Sequence, residues 1–134
     1  MHTSSSQSRS RIRGFSLVEM MACVSIIGII AFMAIPSVTR MRGDSERNLA
    51  IARAESLNLA QASYIQVRGR TQAALEWAAA SSADSKYTLL RPYLSFAETT
   101  LSAYMPSGYS VTFPPSITSM TKVALTSPTG PLYY

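Results

Sequence analysis

The sequence predicts an α+β fold, in which one long N-terminal helix is followed by a small head that contains an antiparallel β-sheet. Three patterns predict it. Residues 15–36 form an almost unbroken apolar run. Residues 38–67 contain no proline and have apolar side chains at helical spacing. Alternation with a period of two residues begins only after residue 108.

These patterns divide the chain into four segments. They are a basic leader (1–14), a membrane-spanning helix (15–36), an amphipathic continuation of that helix (37–69) and a small α+β head (70–134).

The leader is polar, rich in serine and basic. It carries three arginines and no acid: Arg9, Arg11 and Arg13. The rest of the chain carries nine basic and seven acidic side chains, which nearly balance. Arginines beside an apolar segment favour retention of that end in the cytoplasm.

Residues 15–36 have the length of a transmembrane helix. Twenty-two residues rise about 33 Å, close to the hydrocarbon thickness of about 30 Å. A cleaved secretory signal peptide is the alternative interpretation. The run is long for a signal peptide, and Phe32-Met33-Ala34 is a poor small-x-small cleavage site.

Glu19 is the only charged residue between Phe15 and Thr39. A charge at the centre of a membrane helix costs about 2.5–3.5 kcal/mol on insertion scales, and less near the interface. We therefore expect Glu19 to have a function. The alternative is that its side chain reaches the cytoplasmic interface of an ordinary anchor.

The helix is predicted to continue beyond Pro36 with one apolar face to bury. That face is predicted to contain Leu49, Leu57, Ala60, Tyr64 and Val67. The opposite face is predicted to contain Arg42, Glu46, Arg53 and Arg68. Gly69 is a natural residue to end the helix.

The head is predicted to begin with a short helix at 71–80 and a loop at 81–85. Short helical turns are expected within 87–90 and 98–101. Strands are predicted at 109–113 and 121–126, with a final short strand at 132–134, because these segments are bounded by proline and glycine turns.

The sequence predicts no catalytic residues, no cofactor and no metal site. Its only histidine is His2, and no nucleophile and base form a recognisable pair. Glu98 is the last acidic residue, so we do not expect a strong calcium site in the C-terminal part. Cations near the head tyrosines are too sparse to predict nucleic-acid binding.

The N-terminal features resemble those of type IV pilins and type II secretion pseudopilins. The basic leader is followed by Gly14-Phe15-Ser16-Leu17-Val18-Glu19 and then by an apolar helix. The resemblance implies a pilin-like fold. It implies that a prepilin peptidase cuts between Gly14 and Phe15 and methylates the new amine of Phe15.

The resemblance also implies where the protein acts and with what. The chain would be a single-pass protein of the bacterial inner membrane, with its N-terminus cytoplasmic and its head periplasmic. It would assemble with identical or related subunits into a filament in the periplasm or at the cell surface. An inner-membrane platform with a separate ATPase would drive assembly.

Two further roles follow from the resemblance. Glu19 would pair with the N-terminal amine of a neighbouring subunit and set the register of assembly. Gly28 and Pro36 weaken the helix between them. This segment would then melt on assembly, and a simple kink at the membrane edge is the equal alternative.

Three functions remain open from the sequence. They are a secretion pseudopilin, a surface pilin for adhesion, motility or DNA uptake, and a membrane-anchored binding domain that does not assemble. No cysteine follows Cys23, which excludes the disulfide-bounded C-terminal loop of major pilins. The small, cystine-free head favours the pseudopilin.

Overall fold

The computed structural model describes residues 13–134, which form two units divided between Arg40 and Met41. Helix α1 (Leu17–Arg68) contains 52 residues and belongs to both units. The predicted long N-terminal helix is therefore confirmed.

All side chains described in the first unit, residues 13–40, are exposed. The most apolar window of α1 has a mean hydropathy of 2.4. Among the described residues, α1 is the helix with the length and composition needed to cross a bilayer. A helix segment with no buried face in the isolated chain requires lipid or protein around it.

The second unit completes the α+β fold with short helices and a sheet. The helices are α2 (Arg70–Ala79), α3 (Ala83–Leu90) and α4 (Leu101–Tyr104). The strands are β1 (Ser110–Thr112), β2 (Ala124–Ser127) and β3 (Gly130–Leu132), which form an antiparallel sheet in the order β1-β2-β3. Two 3₁₀ turns lie at Arg91–Tyr93 and Ile117–Ser119.

The sheet register places apolar residues of all three strands in line. Leu125 in β2 is opposite both Val111 of β1 and Leu132 of β3. Val111 and Leu125 are buried in the same apolar cluster as Leu57 of α1, and Leu132 packs against that cluster. The sheet and the second half of α1 therefore share one core.

Some element boundaries differ from the sequence prediction. The predicted loop at 81–85 is wrong, because the Ser82 hydroxyl accepts a hydrogen bond from the Ser85 amide (3.1 Å) and caps α3. The turn predicted at 98–101 begins later, after Thr100 caps α4. The end of α1 at Gly69 is confirmed, since Gly69 has a φ of 82°.

The buried face of α1 corrects the predicted one. Leu57, Ala60 and Tyr64 are buried as expected, but Leu49 and Val67 are exposed by 45% and 69%. The remaining core positions are filled by Ala50, Ala54 and Gln61. Small side chains at the two alanine positions allow the head to approach the helix backbone closely.

Arg53 was predicted on the solvent side, and this prediction is wrong. Its guanidinium donates a hydrogen bond to the Tyr104 carbonyl and lies 4.7 Å from the centre of the Tyr104 ring. A long arginine side chain can pack its aliphatic part and its planar head against a neighbouring element. Arg53 thus links α1 to α4.

Hydrogen bonds around Asn58 hold the end of the described chain to α1. The Asn58 carboxamide accepts from the Val123 amide (2.9 Å) and donates to the Tyr134 hydroxyl (3.1 Å). That hydroxyl donates to the Val123 carbonyl (2.6 Å). The Val123 amide thus bonds to a side chain of α1, and β2 begins at the next residue, Ala124, and not at the predicted residue 121.

Tyr64 and Glu76 connect α1 to α2. The Tyr64 hydroxyl donates to the Glu76 carboxylate, which also accepts from Gln72 (3.0 Å) and lies 3.8 Å from Arg68. Burial, followed by the bond to Glu76, raises the pKa of Tyr64 above its ordinary value of 10.0. The bonds from Tyr64 and then Gln72 lower the pKa of Glu76 below 4.5.

These pKa directions predict a pH dependence of stability. The Tyr64 contribution is full below pH 10.0 and is lost as the pH rises through the raised pKa. The Glu76 contribution is full above pH 4.5 and is lost as the pH falls through the lowered pKa. Tyr64→Phe should weaken both dependences in denaturant unfolding followed by circular dichroism. If the stability of Tyr64→Phe fell at acid and at alkaline pH as much as that of the parent chain, this assignment would be contradicted.

Candidate functional site: the processing and assembly segment

Gly14 and Phe15 precede α1 and are accessible. Phe15 is 86% exposed, and a Cβ atom added to Gly14 would meet no described atom within 4 Å. Packing within the chain therefore does not require glycine at position 14. A requirement for glycine at position 14 would come from an enzyme that recognises the Gly14–Phe15 peptide.

The structure describes only one of the three leader arginines. Arg13 is exposed and lies outside any helix or strand. Arg9 and Arg11 lie outside the described residues, so their predicted role stays a prediction.

Glu19 lies in the first turn of α1 and caps its own helix. Its Oε2 atom accepts a hydrogen bond from the Ser16 amide (3.0 Å). The Ser16 hydroxyl accepts one from the Glu19 amide (3.1 Å). This reciprocal pair is a capping box, which satisfies two of the amides left free at a helix start.

Ser16 is a residue of this site that the sequence prediction missed. The signal was present, because a serine followed three residues later by a glutamate before an apolar run is the pattern of a capping box. The signal was hidden because the membrane cost of the carboxylate suggested an intermolecular partner. The structure shows that Glu19 has an intramolecular partner.

The capping box leaves part of the Glu19 carboxylate available. Within residues 13–134, the hydrogen bonds of this side chain involve only Oε2. A cut before Phe15 would create an amine close to the N-terminus of α1, where the helix dipole is already positive. A carboxylate in the first turn offsets both charges, and its second oxygen can accept from a further cation.

Gly28 and Pro36 both lie inside α1, and residues 28–36 are helical in the structure. A Cβ atom on Gly28 would meet nothing within 4 Å, so this glycine is not required by packing within the chain. Pro36 has no amide hydrogen to donate to the Phe32 carbonyl. The Thr39 hydroxyl donates to the Ile35 and Pro36 carbonyls (3.3 and 3.0 Å).

Melting of this segment in an assembly stays a prediction. In the single chain, α1 lacks the backbone hydrogen bond between Pro36 and the Phe32 carbonyl. Whether neighbouring subunits unfold this segment is a property of the assembly.

Within residues 13–134, no three histidine, cysteine, aspartate or glutamate side chains gather into a group that could hold a metal ion. The chemical groups described at this site are the exposed Gly14–Phe15 peptide and the Glu19 carboxylate.

Comparisons with known proteins match the same segment. Residues 9–35 match the family model described as the prokaryotic N-terminal methylation motif. The chain is 38% identical over 60 residues to the type IV major pilin protein PilA of Myxococcus xanthus (strain DK1622). That match covers 45% of this chain and 27% of the relative. No solved structure matches.

An α+β chain with an exposed apolar N-terminal helix, whose start lies within an N-terminal methylation motif, fits a membrane-anchored single-pass protein. The N-terminal part of the chain is therefore similar to that of type IV pilins and pseudopilins, and the chain spans less than a third of the length of the relative it matches.

Proposed function

We propose that this chain is a structural subunit of a type IV pilus-like filament, of the pseudopilin kind that serves a type II-like secretion system. The observation that carries the proposal is the methylation motif at residues 9–35, which covers the accessible Gly14–Phe15 peptide and the capped start of α1. The pseudopilin assignment rests on a small head without cystine.

In the proposed mechanism, a prepilin peptidase removes residues 1–14 and methylates Phe15. Before assembly, the subunit lies in the inner membrane with the apolar part of α1 in lipid. Glu19 keeps its helix capped through Oε2 and accepts the Phe15 amine of a neighbour on its other oxygen. A carboxylate and an amine buried together stabilise an assembly only when they are paired, which fixes the axial register.

Surface pilin is the second candidate, and one observation favours it. The relative that shares 38% identity over 60 residues is named a type IV major pilin. Both candidates need the same processing and the same Glu19. They differ in where the filament grows, in the periplasm for the pseudopilin and outside the cell for the pilin.

Mass spectrometry of the membrane fraction and of sheared surface material tests this proposal. We expect a mature species that begins with methylated Phe15. Enrichment of that species in the sheared fraction would assign a surface pilin, and confinement to membranes would support the pseudopilin. A chain that keeps residues 1–14 in cells with an active prepilin peptidase would contradict both candidates.

Gly14→Val is expected to block processing without disturbing the fold. The added side chain starts in open space in the structure, so the folding energy of the chain should not change. The variant should keep its leader, while a Gly28→Val control should be cut normally, because position 28 is also in open space but lies far from the peptide bond. Normal cleavage of Gly14→Val would contradict the assigned cut site.

A further inference from the structure

Gln61 is a polar residue buried on the face of α1 that the head covers. It is only 4% exposed. Neither its Nε2 atom nor its Oε1 atom forms a hydrogen bond with another group of residues 13–134. Both atoms lose bulk water when the chain folds, and a buried polar group without a partner costs free energy. Such a carboxamide therefore requires a partner.

A small cavity adjoins this carboxamide. It has a volume of about 40 Å³ and lies between α1 and the segment that joins the second 3₁₀ turn to β2. A water molecule takes up about 30 Å³ in the liquid. The cavity therefore has room for one water molecule and not for a larger ligand. Its lining consists of Asn58, Gln61, Ala62, Ile65, Met120, Thr121 and Lys122.

The other long polar side chains of the lining already have partners. The Asn58 carboxamide accepts from the Val123 amide (2.9 Å). The Lys122 amine donates to the Glu55 carboxylate (3.0 Å). Of the two carboxamides that line the cavity, only that of Gln61 keeps its donors and its acceptor for an occupant.

The lining favours a neutral occupant that both donates and accepts hydrogen bonds. No carboxylate is among the described residues of the lining, so a divalent cation would lack the charged oxygen ligands that it prefers. An anion would meet only Lys122, whose charge is already paired with Glu55. A water molecule can accept from the Nε2 atom of Gln61 and donate to its Oε1 atom.

The backbone on the other side of the cavity has an uncommon conformation. Met120 has a φ of 51°, in the left-handed region that residues with a Cβ atom rarely adopt. Its amide donates to the Ile117 carbonyl (3.3 Å) at the end of the 3₁₀ turn. A strained backbone persists only where its surroundings hold it. A molecule that bonds to the backbone of residues 120–122 would help to hold this turn.

We propose that Gln61 and the backbone of residues 120–122 bind one buried water molecule, which joins α1 to the segment before β2. The water molecule bonds to both polar atoms of the Gln61 carboxamide and to one backbone group of the segment. Buried water molecules in proteins typically form about three hydrogen bonds. The inference does not depend on the proposed function, because the site lies wholly within one chain.

Magnetisation transfer from water, measured by NMR on the full chain in detergent micelles, tests this site. The side-chain amide protons of Gln61 are compared with those of Gln66, which is exposed on the same helix. A bound water molecule transfers magnetisation efficiently, and in the rotating frame this transfer has the opposite sign to direct proton exchange. We expect a transfer to Gln61 about fivefold stronger than to Gln66, or more. Equal or absent transfer to Gln61 would overturn the proposal.

Two substitutions identify the source of the signal. Gln61→Met keeps the approximate shape of the side chain and removes both polar atoms. The strongest transfer to a backbone amide of residues 120–122 should then fall about fivefold or more, whereas Gln66→Met should leave it unchanged. Equal transfer in the parent chain and in Gln61→Met would overturn the proposal.

Thr121→Val removes the hydroxyl of the lining, whose proton could exchange with water and relay magnetisation to Gln61. This hydroxyl lies 3.0 Å from the Ser119 hydroxyl, and Thr121 is exposed. The Gln61 signal should persist in Thr121→Val, because the proposed water molecule bonds to the backbone of the segment. Loss of the signal in this variant would assign it to the hydroxyl and would overturn the proposal.

Discussion

We expect Glu19→Gln to reduce the yield of the proposed filaments by at least 100-fold while the first turn of α1 stays capped. A glutamine at this position still accepts from the Ser16 amide, because capping boxes use glutamate or glutamine. The substitution removes the negative charge and replaces the second oxygen, which is proposed to accept the neighbouring amine, with an NH2 group that cannot accept. Loss of one partner of a buried ion pair costs about 3–5 kcal/mol, which corresponds to two or more powers of ten at each contact.

Two control variants separate the charge from the cap. Ser16→Ala keeps the charge and removes the hydroxyl that accepts from the Glu19 amide (3.1 Å). It should cost about 1 kcal/mol of helix stability and should lower assembly less than tenfold. Glu19→Ala removes both functions and should be at least as severe as Glu19→Gln.

Filaments are quantified by shearing and immunoblotting, with the membrane-bound mature chain as the reference. Normal filament yield from Glu19→Gln would contradict the proposed ion pair and would leave capping as the role of this residue. Equal losses from Ser16→Ala and Glu19→Gln would also contradict it. A non-assembling anchored domain predicts that all three variants function normally.

We expect Trp77→Ala to lower the free energy of unfolding of the second unit by about 3–5 kcal/mol. Trp77 is 1% exposed, and its ring meets Phe113 edge to face with centres 5.6 Å apart. Its indole N–H donates to the Pro114 carbonyl (3.0 Å), which is in a buried residue. Truncation opens a cavity and removes the main donor from that carbonyl.

The loss of stability should increase with the buried apolar volume that a substitution removes. Trp77→Phe keeps most of the apolar volume and should cost clearly less than Trp77→Ala. Leu75→Ala lies on the same helix but is 63% exposed, so it should change stability by no more than about 0.5 kcal/mol.

Trp77 is the only tryptophan, so its fluorescence cannot follow these variants. Urea unfolding of the full chain in detergent is followed instead by near-ultraviolet circular dichroism of the buried tyrosines. If Trp77→Ala were as stable as Leu75→Ala, residues other than Trp77 would stabilise the core, and the prediction would be contradicted.

The sequence alone determined the features that depend on local patterns. Apolar composition over 22 residues predicted the membrane-length helix at 15–36, and period-two alternation predicted β1. Glycine at position 69 predicted the end of α1 because a φ of 82° is accessible to glycine without strain. The order of the N-terminal residues was enough to indicate the family.

The tertiary structure alone decided which face of α1 the head covers. Helical periodicity is compatible with several neighbouring faces of α1 as the buried one. Ala50, Ala54 and Gln61 are buried, whereas Leu49 and Val67 are exposed, because burial depends on which residues the sheet and α2 contact. Arg53 turned inward because the Tyr104 carbonyl and ring lie within its reach. Such contacts join residues about 50 positions apart, and local periodicity contains no information about them.

The candidate site shows the same division. Sequence order predicted Gly14, Phe15 and Glu19 as its residues, because a methylation motif and a capping box are both defined over a few consecutive residues. The groove that Leu59 and Phe96 line depended on the tertiary structure, because a leucine on α1 and a phenylalanine in a distant loop come together only after the head has folded onto the helix.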